Sequence, residues 1–123
     1  MEKLLGIIPI PSQLHEQSNI SELKERLDWG EPALTIVDVR NSNLFNEGHI
    51  QGAVSIPEPG LVEHALEHLE PIRDIYVYGE TDEETNAAVN KLRAASFERV
   101  SMLLGGFEAW KAAEYPVEPA ALM

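Results

Sequence analysis

The sequence predicts an α/β domain built on a parallel sheet with helices on both faces. Short β-favouring runs alternate along the chain with amphipathic stretches of helical length. One run, Leu34 to Val39 (LTIVDV), favours strand continuously, as a strand covered on both faces does. With 123 residues there is room for one ordinary domain and one core.

Taken in order, Leu5 to Ile10 reads as a short strand that Pro11 ends, because proline cannot donate to a ladder. Ser21 suits an N-cap, with Leu23 and Leu27 following at helical spacing and Ile20 packing beneath. Gly30 and Pro32 stop that helix. After LTIVDV, a short helix starts near Asn41 and runs through Leu44 and Phe45 until Gly48. Ala53 to Ile56 is a second short strand, closed by Pro57 and Pro59. Leu61, Val62, Ala65, Leu66 and Leu69 mark an amphipathic helix. Ile75 to Tyr78 is the next strand, ending at Gly79. The polar loop Glu80 to Glu84 leads into a helix bearing Ala88, Val89, Leu92 and Ala95. Arg99 to Leu103 is the last strand, Gly105-Gly106 a tight turn and Phe107 to Ala113 the last helix. The compact unit spans residues 4–118, and 119–123 form a loose C-terminal tail. In such sheets ligands lie beyond the carboxyl ends of the strands, here the loops after Val39, Tyr78 and Leu103.

Composition removes whole classes of function. There are 21 acidic against 9 basic side chains, a formal net charge of -12. Nucleic-acid affinity rests on clustered Lys and Arg, so a phosphate backbone is not an expected partner. The apolar run at Leu4 to Ile10 is too short for a membrane span and lacks the features of a signal peptide, so a cytoplasmic setting is expected. Cysteine is absent, so the chain holds no disulfide, thiolate metal site, catalytic thiol or persulfide carrier.

Several motifs then agree on one family. Asp38-Val39-Arg40, Phe45, Gly48-His49-Ile50, Gly52-Ala53 and Ile56-Pro57 resemble the front half of a rhodanese domain. Phe97, Val100, Leu104-Gly105-Gly106, Ala109-Trp110 and Tyr115-Pro116-Val117 resemble its back half, in the same order. The resemblance implies a five-stranded parallel sheet flanked by helices. In active members, the loop after the central strand carries a nucleophilic Cys and wraps its backbone N–H groups around an anion. That Cys accepts a sulfane sulfur from a donor such as thiosulfate. The resemblance puts the nucleophile at Gly79, which has no side chain to carry sulfur. The rest of the loop departs as well: Glu80, Thr81, Asp82, Glu83, Glu84 and Thr85 stand where active members commonly show glycine, arginine and serine. Four carboxylates in five positions overwhelm the half-charge of a helix N-terminus for any incoming anion, while suiting the first turn of the helix itself. Phosphatases on the related fold also need a loop Cys and a phosphate-gripping Arg, both missing.

Other constellations have plainer readings. His64 and His68 lie four apart on one helix, a spacing that can bind metal with Glu67 as a third ligand; on an exposed acidic face such residues are usually just solvated. Asp38, Arg40 and His49 look catalytic, yet the resemblance gives them structural roles: the Asp and Arg through local hydrogen bonds, the His by capping backbone. Gly48, Gly105, Gly106 and Trp110 belong to the same structural set, with Trp110 and Phe107 packing the last helix onto the sheet. Tyr76 and Tyr78 read as core residues with polar tips. Trp29 reads as partly exposed. Ser96 and Glu114 stand where family members often have Gly, so either the turn at Glu114 is built differently or a strain of about 1–2 kcal/mol is tolerated.

The expectation is therefore a catalytically inactive rhodanese-like binding or regulatory module. It would use no cofactor and would present Gly79 to Thr85 to a basic protein or peptide patch. The alternative is a divalent-cation site made by Glu80, Asp82, Glu83 and Glu84, with a hydrolytic or cation-binding role.

Overall fold

The computed structural model describes residues 14–30 and 33–119. The strand read at Leu5 to Ile10 and residues 120–123 of the tail lie outside them. The described strands are β1 (Gln17–Ser18), β2 (Leu34–Asp38), β3 (His49–Ile50), β4 (Val54–Ser55), β5 (Asp74–Tyr78), β6 (Val100–Leu103) and β7 (Val117–Glu118). The helices are α1 (Ile20–Asp28), α2 (Ser42–Glu47), α3 (Leu61–His68), α4 (Asp82–Ala94) and α5 (Gly106–Ala112).

Five strands form one parallel sheet in the order β1-β6-β5-β2-β4. Its outer strand beside β6 is Gln17–Ser18, a polar pair whose sequence carries no apolar alternation. The ladder makes it a strand: the Met102 N–H donates to Glu16 O (2.9 Å) and the Leu104 N–H to Ser18 O (2.9 Å). β3 and β7 add a small antiparallel pair, His49 opposite Glu118 and Ile50 opposite Val117, which sequence periodicity does not show.

Two cores flank the sheet. On one face Val37, Val39, Ile75, Val77, Val100 and Met102 meet Leu61 and Ala65 of α3 and Ala88, Val89 and Leu92 of α4. On the other, Ile36, Tyr76, Tyr78 and Leu103 meet Leu23 of α1 and Phe107 and Trp110 of α5. β5 sits at the centre, every residue buried. The apolar stripe of α3 is narrower than its composition suggests: Leu66 turns outward and is 59% exposed. Among the described residues no helix is long and apolar enough to cross a membrane.

The helix ends show how local chemistry sets the frame. α1 is capped by Asn19, not Ser21. The Asn19 side chain accepts from the Glu22 N–H (2.9 Å), and the Glu22 carboxylate accepts from the Asn19 N–H (2.8 Å), a capping box. α4 and α5 end in the same 6→1 and 5→2 hydrogen-bond pattern. At α4, Ser96 N–H donates to Arg93 O and Phe97 N–H to Leu92 O. At α5, Glu114 N–H donates to Lys111 O and Tyr115 N–H to Trp110 O. The motif requires a left-handed residue, and Ser96 (φ 79°) and Glu114 (φ 62°) adopt it without being glycine. The turn is the ordinary one, and its strain is tolerated.

Candidate functional site

Parallel strands deliver their carboxyl ends to one edge, and three loops meet there. The Val39 N–H donates to Tyr78 O (3.0 Å), joining the β2 and β5 exits. The Gly105 N–H donates to the Asp82 carboxylate (3.0 Å), joining the β6 exit to α4. A Cβ on Gly106 would stand 3.0 Å from Gly79 O, so the turn before α5 rides directly on the backbone after β5.

The loop after β2 is held by a buried ion pair. Asp38 is fully buried, and its carboxylate accepts from the Arg40 N–H (2.9 Å), Nε (3.1 Å) and Nη2 (2.7 Å). Nη2 also donates to Gly48 O (2.6 Å), so the pair ties the strand end to the end of α2. The guanidinium lies over the rings of Phe107 (4.8 Å) and Tyr78 (5.4 Å). Burial alone would lower the Arg40 pKa; the Asp38 carboxylate more than offsets this and the net shift is upward. The Tyr78 hydroxyl accepts from the Ile50 N–H (3.1 Å), and burial, with Asp38 nearby, holds the phenol well above its ordinary value. The His49 ring stacks on Phe45 with centroids 3.7 Å apart, and its Nδ1 lies 2.7 Å from Phe45 O. Its Nε2 lies 3.4 Å from the Glu118 carboxylate, which also accepts from the Gly52 N–H (3.2 Å). Trp110, fully buried, donates its indole N–H to Pro116 O (2.7 Å). These contacts are internal and leave Asp38 and Arg40 without a face to solvent.

The loop after β5 is closed by its own side chains. The Gly79 N–H donates to Thr85 Oγ1 (2.7 Å) and the Glu80 N–H to Glu84 Oε1 (2.6 Å). Thr81 caps α4 by accepting from the Glu84 N–H (3.1 Å), and Thr85 Oγ1 donates back to Thr81 O (2.9 Å). A Cβ on Gly79 would meet Glu84 Oε1 at 2.8 Å and Thr85 Oγ1 at 3.2 Å, so these two side chains fill the space a larger residue would enter. The Thr81-x-x-Glu84 spacing announces such a cap in the sequence. Here the glutamate reaches one residue further back, to Glu80 rather than Thr81.

This geometry bears on the two metal readings that the sequence left as alternatives. The loop carboxylates do not converge on a cation: Asp82 is drawn to Gly105 and Glu84 to Glu80, while Glu80 and Glu83 stay exposed. Nor do His64, His68 and Glu67 form a metal triad. The two rings sit 6.5 Å apart and tilted by 50°, and Glu67 lies 3.6 Å from the exposed His68. Among the described residues no group of three or more His, Asp or Glu side chains is placed to hold a metal ion. Trp29 is more exposed than read, at 77%.

Comparison with known proteins agrees with the motifs. The rhodanese-like domain family matches residues 19–113. The chain is 51% identical to the rhodanese-like domain of the Alr3790 protein from Anabaena sp. The solution structure of that domain superposes with a TM-score of 0.81 over 89% of this chain and 88% of that one. It is 33% identical over 78 residues to the thiosulfate sulfurtransferase GlpE of Shewanella oneidensis, covering 63% of this chain and 76% of that protein. Against a TBC domain-containing protein kinase-like protein of Gallus gallus it is 28% identical over 120 residues. That match takes in 89% of this chain and only 13% of the chicken protein.

Proposed function

The chain belongs to the rhodanese-like domain family, and from that premise we propose that it is a binding or regulatory module without sulfurtransferase activity. The observation that carries the reading is the self-closed loop. No thiol exists to carry sulfur, and the N–H groups of Gly79, Glu80, Glu84 and Gly105 are each taken by a side chain of the loop or of the first turns of α4. An anion arriving there would have to displace Glu84 while approaching Glu80, Asp82 and Glu83, against both the hydrogen bonds and the charge.

The surface left by this closure is an acidic rim, Glu80 to Glu84; Gly79 and Thr85, which the sequence reading included in it, are buried beneath. A basic peptide or protein patch suits it, since complementary charge speeds encounter and fixes orientation. The net charge of -12 argues against nucleic acid or an anionic membrane as the partner, and we place the module in the cytoplasm.

The test is a thiosulfate sulfurtransferase assay on the purified chain beside Gly79→Cys. We expect no turnover in either, because the variant supplies a thiol beside a carboxylate and no open cradle. Activity in the variant alone would show that only the nucleophile had been lost and that the loop still opens to anions. Turnover by the unmodified chain would overturn the reading.

A further inference from the structure

We propose a second site away from the rim: a cleft between β4 and the C-terminal half of α3 that binds a small organic anion, a compact charged head on an apolar body. Its origin is the shortness of β4. That strand pairs with β2 only at Val37 and Asp38, so the sheet stops one strand early beside Leu34 and Thr35. Arg73 occupies part of the vacant place. Its Nη2 donates to Leu34 O (2.7 Å) and its Nε to Thr35 Oγ1 (3.1 Å). A guanidinium carries five N–H groups; these two bonds use two of them and fix its plane, and Arg73 lines the cleft.

The surroundings give the ligand its character. The cleft has a volume of about 630 Å³, within the usual ~300–1,000 Å³ of small-molecule sites. Val54, Ile56 and Leu69 supply an apolar wall, and Val54 is 41% exposed on it. Thr35 and Ser55 add hydroxyls to the lining, and His64 and His68 add imidazoles. Glu70 is the one carboxylate in the lining. In a chain with 21 acids and 9 bases, Arg26, Arg40 and Arg99 each hold a carboxylate, whereas among the described residues Arg73 has none. Arg93 also bonds only carbonyls, but it lines no part of this cleft. A pre-oriented guanidinium without a carboxylate, set over an apolar wall, is the pattern of an anion-recognition site.

Amide NMR titration of the isotope-labelled chain with phenyl phosphate, benzoate, inorganic phosphate and benzyl alcohol tests this. We expect saturable shifts at Thr35, Ser55 and Arg73 and at the imidazoles of His64 and His68 with phenyl phosphate or benzoate. Whichever binds more tightly identifies the head group. Inorganic phosphate, lacking the body, and benzyl alcohol, lacking the charge, should bind more weakly. Arg73→Gln should weaken binding by about tenfold or more. The exposed His68→Ala, which leaves the fold untouched, should weaken it by about threefold. No saturation by either anion at millimolar concentration overturns the proposal. So does equal binding of benzyl alcohol, indifference to Arg73→Gln in a folded variant, or shifts centred on other arginines.

Discussion

Two loops leave neighbouring strands at the same end of the sheet and solve the same problem differently. After β2, backbone and guanidinium donors converge on the fully buried carboxylate of Asp38, and the Arg40 guanidinium lies over the rings of Phe107 and Tyr78. After β5, backbone donors are met by Thr81, Glu84 and Thr85 around an exposed turn. The first arrangement tolerates no partial change, because a buried charge that loses its partner has nothing else to pair with. The second sits in water, where a lost bond is partly replaced by solvent. The first loop spends its charges on an internal pair, whereas the second leaves Glu80, Asp82 and Glu83 facing water.

The largest effect should come from splitting the buried pair. Asp38→Asn leaves Arg40 charged and poorly paired, and Arg40→Met does the reverse; each should cost about 3–5 kcal/mol in urea unfolding. The double variant should recover much of this, since neither charge then remains. If the singles cost no more than the double, the pair is not the coupled unit described above.

Tyr78 lies under both loops and should give the next largest effect. Tyr78→Phe leaves the buried Ile50 N–H unpaired, at a cost of about 1–3 kcal/mol near neutral pH. The phenol also adds a pH dependence whose sign is fixed. Its folded-state pKa is raised by burial, so its contribution is whole below the ordinary tyrosine value of about 10. Above that, the unfolded chain ionises first and stability falls. Alkaline melting curves should therefore drop less steeply for Tyr78→Phe than for the parent chain, and equal slopes would sink the assignment.

In the β5 loop the same kind of change should matter less. Thr81→Ala removes the cap on α4 and should cost about 1 kcal/mol. Gly79→Cys pushes on the end of a flexible glutamate, costing about 1 kcal/mol through the lost Glu80–Glu84 bond. Costs above those of the Asp38 and Arg40 variants would reverse the comparison between the loops.

Much of the fold was legible because its long elements carry strong periodicity: β2, β5, α3 and α4 lie within a residue or two of where their patterns place them. The edge strand Gln17–Ser18 and the β3–β7 pair were not, since two-residue strands are made by their partners and leave no pattern of their own. At the site, the missing cysteine was legible from composition and the acidic run after β5 from its residues. The closure of the loop by Glu84 was not, although Thr81-x-x-Glu84 carries the capping signal. Which N–H a glutamate reaches depends on how the strand end approaches the helix, and that is decided by tertiary packing of Gly106 against Gly79. The N-cap of α1 was misplaced for a simpler reason: Asn19-x-x-Glu22 is the stronger capping pair, and the hydroxyl of Ser21 only supports it by donating to Asn19 Oδ1 (2.7 Å).

The smallest effects lie outside both loops, at the ends of α4 and α5, and they carry the opposite sign. Ser96 and Glu114 hold left-handed conformations at a cost of about 1–2 kcal/mol each that glycine does not incur. Glycine returns part of that gain through the extra freedom of the unfolded chain, about 0.5–1 kcal/mol. Ser96→Gly and Glu114→Gly should therefore each stabilise by about 0.5 kcal/mol. The two should be additive, since they sit on helices packed against opposite faces of the sheet. α1 supplies the control, because Gly30 already holds the left-handed position (φ 70°) after that helix with open space around it. Gly30→Ala should destabilise by about 1 kcal/mol from backbone strain alone. If the glycine variants at 96 and 114 were also destabilising, their side chains would be supplying interactions that outweigh the strain. The two departures from the family pattern would then be adaptations of the turns.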